Sequence, residues 1–64
     1  MANFNEIYDT NTLYNIVNDY VESRGVKLNP NKSWGEDADR LENDYPDIAD
    51  FLRVAEKRWY ELEQ

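Results

Sequence analysis

The sequence predicts an all-α fold, a small three-helix bundle with a short N-terminal segment. Three apolar stripes at helical spacing carry that expectation. Gly25 and a Ser33–Glu36 capping box mark helix boundaries, and Pro46 separates the second helix from the third. The length allows one domain, spanning residues 1–64.

Leu13, Ile16, Val17, Tyr20 and Val21 lie at i, i+3, i+4, i+7 and i+8, so the first helix is expected over residues 11–24. Asp9, Thr10 or Asn11 can cap its start. Gly25 sits where a left-handed residue closes a helix. Ahead of it, Phe4, Ile7 and Tyr8 fit one helical turn over residues 3–8, or equally a loosely held end with an apolar hook. Residues 25–33 read as a connection, with Asn29-Pro30-Asn31 as turn chemistry. Val26 and Leu28 alternate around Lys27, but a lone strand there has nothing to pair with.

Ser33 begins the second helix, expected over 33–45, with Glu36 completing the capping box. Trp34, Ala38, Leu41 and Tyr45 share its apolar face. Pro46 pushes Tyr45 away from helical angles and can open the third helix, expected over 46–62. Asp47 and Asp50 suit the positive end of that helix dipole. Ile48, Phe51, Leu52, Ala55, Trp59 and Leu62 form the best apolar stripe in the chain.

Composition narrows the function. The chain has no Cys and no His, so disulfides and the usual zinc sites are excluded. Stability then rests on packing, to which two Trp, five Tyr and two Phe contribute, or on a partner. The net charge is −7. Such a chain is expected to be repelled by DNA, RNA and anionic membranes. Without His, no ordinary side chain titrates between about pH 5 and 8. Strictly apolar runs never exceed two residues, which argues against a membrane span. The opening Met-Ala-Asn-Phe-Asn-Glu does not resemble a signal peptide. A cytoplasmic location is the expectation, and lack of cysteine fits a reducing compartment.

Enzyme chemistry has little to stand on. No Cys or His is present as nucleophile or base. Ser33 is explained as a cap, and it lacks the Asp-Ser-Leu context expected of a modified carrier-protein serine. Paired carboxylates do acid–base work only in a cleft that shifts a pKa. Calcium-loop frames fail as well. A frame from Asp9 puts Tyr14, and one from Asn29 puts Trp34, where the sharp turn needs Gly. No catalytic residue, metal or cofactor is therefore expected.

The strongest functional signal is acidic. Glu36, Asp37, Asp39, Glu42, Asp44, Asp47 and Asp50 share one stretch with Arg40 as its only base. As continuous helix this stretch would span roughly 22 Å. That is about one carboxylate per 3 Å, close to the roughly 3.4 Å charge spacing of a DNA strand. The plain alternative is a solvated face whose acids help two helices start. Tyr8, Tyr14 and Tyr60 fit the apolar stripes poorly, and an exposed Tyr would suit a protein interface. The bases of the third helix, Arg53, Lys57 and Arg58, each have an acid three or four residues away, which points to local pairing. A helix-turn-helix reading fails because Asp47 and Asp50 would face phosphates.

The leading expectation is a non-enzymatic protein-binding module, an inhibitor or modulator. Its seven acids, with Tyr60 as anchor, would dock on the basic groove of a larger protein, as a nucleic-acid mimic would. No direct contact with nucleic acid or membrane is expected. The rival is an adaptor or assembly subunit that uses an apolar face of the third helix, with Val54 and Tyr60, to bind a partner or form a homodimer.

Overall fold

A computed structural model describes residues 4–64, and residues 1–3 lie outside the described part. Three helices follow a short 3-10 turn at Phe4–Glu6: α1 at Thr10–Ser23, α2 at Trp34–Leu41 and α3 at Pro46–Glu63. No strand occurs among the described residues. The expected turn over residues 3–8 reduces to that 3-10 turn, and its first expected residue, Asn3, lies outside the described part.

The helix ends follow from their cap chemistry. Asp9 is the N-cap of α1 and accepts the Thr12 backbone N–H at 2.8 Å and the Thr12 hydroxyl at 2.7 Å. At the other end Gly25 takes φ +76°, which an L side chain resists. The Gly25 N–H donates to the Glu22 carbonyl and the Val26 N–H to the Val21 carbonyl, at 2.9 and 3.2 Å. This is the Schellman closure, and the buried Val26 packs as its apolar lock. Ser33 and Glu36 form the capping box of α2.

The second helix is shorter than expected. It ends at Leu41 rather than reaching Tyr45. Residues 42–44 form a turn, and Tyr45 sits at φ −137°, ψ 67° as the N-cap of α3. Two effects stop the helix early. Glu42 and Asp44 stand at the negative end of the α2 dipole, where acids are unfavourable. The ring of Pro46 denies Tyr45 the helical region. Tyr45 is therefore exposed and leaves the apolar stripe on which the sequence placed it.

The core is formed by Leu13, Val17 and Val21 of α1, Ala38 and Leu41 of α2, and Ile48, Ala49, Leu52 and Ala55 of α3, with Ile7 and Val26 from the segments between. Ile16, Tyr20, Trp34, Phe51, Trp59 and Leu62 are partly buried at its edge. The long α3 packs against both other helices and most closely against α2. At 1.5 Å per residue its 18 residues run about 27 Å, most of the molecule's 31 Å length. The N-terminal segment is tied down by Arg58, whose Nη2 and Nε donate to the Ile7 carbonyl at 2.7 and 3.1 Å. Phe4 also packs against Phe51, with the rings tilted and their centres 5.2 Å apart. No helix among the described residues is long and apolar enough to cross a membrane.

Candidate protein-binding face

The short turn at 42–44 folds α2 back along α3. This hairpin sets Trp34 beside Trp59, Gly35 beside Glu56, and Asp39 and Glu42 beside Arg53. It also sorts the seven acids of the 36–50 stretch into separate groups.

Three of them converge. Arg53 meets Asp39 at 2.9 Å, Glu42 at 3.3 Å and Asp50 at 3.8 Å. The guanidinium pKa is raised, chiefly by its hydrogen bonds to Asp39 and Glu42. Three carboxylates around one cation leave the cluster with two uncompensated negative charges, and all three carboxylates remain exposed.

The other four go elsewhere. Asp37 is only 1% exposed and is withdrawn from the expected binding face. One of its oxygens accepts the Asn29 N–H at 3.2 Å and the other accepts Arg40 Nη2 at 3.2 Å. Arg40 also donates to the Lys27 carbonyl. Asp37 thus pins the 26–33 connection to α2, and its place beside Ala38 on the inner side of the helix explains the burial. Asp47, at the start of α3, pairs instead with Arg24 at the end of α1. That hydrogen bond is the main cause of its lowered pKa. Glu36 is held by Ser33 and by Lys32 at 3.6 Å. Asp44 stands exposed in the turn. The acids therefore do not form the single 22 Å row that continuous helix would give.

The expected local pairing on α3 is partly present. Arg53 pairs with Asp50, and Arg58 with Glu61 at 3.5 Å. Glu56 does not join Arg53. Its carboxylate turns to α2 and accepts the Gly35 N–H at 2.9 Å, satisfying a free donor of the helix start. A Cβ on Gly35 would lie 2.7 Å from Glu56 Oε1, so the missing side chain makes room for that contact.

Tyr8, Tyr14 and Tyr60 are all exposed. Tyr8 lies over the Arg58 guanidinium at 5.9 Å. Tyr14 and Tyr60 instead meet Trp34 and Trp59 around a groove of about 360 Å³. The two indoles are edge to face at 5.4 Å. Glu56, Glu63, Lys32 and Ser33 complete the groove walls. All three helices supply a ring, so no single stripe could reveal the site. The register of the α2–α3 hairpin is the signal that could have paired Trp34 with Trp59.

Tyr60 follows Arg53 by seven residues. On a helix that is about 10 Å along the axis and within about 20° around it. Tyr60, at one edge of the groove, thus lies in line with Arg53 along α3. Val54 and Tyr60 are 52% and 57% exposed, but six residues turn them about 120° apart. They do not form one apolar patch. Among the described residues, no set of three or more acidic side chains is arranged to hold a metal ion. No family model, curated protein or solved structure matches this chain.

Proposed function

We propose that the protein is a non-enzymatic binding module, an inhibitor or modulator that docks the α2–α3 face on a basic groove of a larger protein. One observation carries this reading. Asp39, Glu42 and Asp50 gather exposed negative charge around Arg53, about two helical turns from Tyr60 at the edge of the aromatic groove. Charge of this kind accelerates association and makes it salt-sensitive, while aromatic anchors supply lasting contact. The acids that contribute are Asp39, Glu42, Asp50 and the neighbouring Asp44. Asp37 is buried, and Asp47 is engaged by Arg24. A strict imitation of a phosphate row is not the favoured form of this reading, because the chain reverses at 42–45. A cytoplasmic setting fits the absence of cysteine.

The test is a comparison of the wild type with the variant Asp39→Asn/Glu42→Gln/Asp50→Asn. Each is immobilised and exposed to nuclease-treated lysate of the source or its host, then washed at about 50 and about 500 mM salt. Wild type is expected to retain a basic protein at low salt and release it at high salt, and the triple variant to retain little. Equal recovery by both proteins would sink the proposal.

A further inference from the structure

We infer that the groove between Tyr14, Trp34, Trp59 and Tyr60 seats an arginine side chain presented by the partner's basic surface. This rests on the protein-binding reading above and names the anchor within it.

The groove walls select the occupant. Four aromatic rings line the groove and offer apolar surface and polarisable π systems. Glu56 and Glu63 add two carboxylates. Glu56 is held in place by the Gly35 N–H, so its charge needs no reorganisation when a ligand arrives. The one cation in the wall, Lys32, is drawn to Glu36 at 3.6 Å. An anion would meet two carboxylates. A purely apolar side chain would strip water from those carboxylates and from the Tyr hydroxyls without replacing its hydrogen bonds. A second copy of this chain would bring a molecule of net charge −7 against an already acidic face. A planar guanidinium satisfies the site as none of these does. It stacks on aromatic rings, donates to carboxylates through its fork, and carries an apolar stem for the groove wall. The volume of about 360 Å³ suits a side chain rather than a folded element. The acidic cluster around Arg53, in line with Tyr60 along α3, would meet flanking bases of the partner segment.

The test uses the isotope-labelled full chain and a capped Gly-Gly-Arg-Gly-Gly peptide, with the two indole N–H resonances as readout. A matched peptide with citrulline in place of arginine keeps the shape and removes the charge. The arginine peptide is expected to shift both indole signals with a dissociation constant on the order of 1 mM, and the citrulline peptide to bind at least about tenfold more weakly. Tyr60→Ser is expected to weaken the arginine peptide about fivefold. Glu63→Gln, at an exposed position near the chain end, should weaken it as well while leaving the melting curve unchanged. Indole signals that stay still at about 10 mM arginine peptide, or that move equally with citrulline, would overturn the inference. The triple acid variant separates this proposal from the one above. If it still binds the arginine peptide and also still recovers the wild-type proteins from lysate, the groove stands and the acidic-face reading falls. If the peptide fails but the triple variant loses its partner, the acidic face stands and the groove assignment falls.

Discussion

Asp37 and Asp39 are two residues apart, carry the same charge and do opposite things. Asp37 turns inward and holds the Asn29 N–H and Arg40, while Asp39 turns outward to Arg53. Removing a buried acceptor leaves its donors unpaired at a cost of about 1–3 kcal/mol. Asp37→Ala is therefore expected to lower unfolding free energy by about that amount in a urea titration, and to loosen the 26–33 connection. Asp39→Asn breaks only an exposed ion pair and is expected to change stability by less than about 1 kcal/mol. A larger loss at Asp39 than at Asp37 would contradict this assignment of roles. Asp37 looked like its neighbours in the sequence because burial depends on which side of α2 meets the rest of the fold.

At the scale of the elements, two carboxylates connect helix ends to pH. Asp9 has a lowered pKa, first through its side-chain hydrogen bond to Thr12 and then through the Thr12 backbone N–H. Asp47 has a lowered pKa through its hydrogen bond to Arg24, which joins the end of α1 to the start of α3. A carboxylate whose folded pKa is depressed stabilises the fold above its unfolded pKa. That contribution disappears as pH falls through the folded value. The chain has no His, and Arg24 and Arg53 have raised pKa values that keep them charged throughout this range. The melting temperature is thus expected to stay level from about pH 5 to 8 and to drop below about pH 4. Asp47→Asn should show a shallower acid drop in the same thermal scans. A wild-type melting temperature that rises on acidification would exclude this account. The boundaries of α1 were legible to within one residue, with Gly25 marking its end and Asp9 one of three candidate caps for its start, since caps are local chemistry. The end of α2 was not. It depended on how Glu42, Asp44 and Pro46 act together, and the apolar spacing of Tyr45 concealed their effect.

At the scale of the molecule, α3 is the shared wall on which α1, α2 and the N-terminal segment pack. Leu52 is fully buried at the middle of that helix. A Leu→Ala change at such a site costs about 2–5 kcal/mol. A 64-residue chain at ordinary stability per residue has only about 3–10 kcal/mol in total. Leu52→Ala is expected to remove roughly half of that stability and to lower the melting temperature by more than about 8 °C in circular dichroism. A cooperative melt within a few degrees of wild type would show that the core is less dependent on α3 than its packing implies.

By itself, the sequence determined the all-α class, the presence of three helices, the caps at Ser33 and Gly25, and nearly every core residue of α1 and α3. These follow from periodicity and from backbone chemistry within a few residues, both written locally in the chain. The tertiary structure alone decided which acids act together and where the aromatics meet. Asp39, Glu42 and Asp50 converge because α2 lies antiparallel to α3, not because they are close in sequence. Tyr14, Trp34, Trp59 and Tyr60 come from three different helices and share a groove only once those helices pack. The physical reason is that a stripe specifies which side of a helix is buried, whereas a site at a helix seam depends on the register and facing of its neighbours.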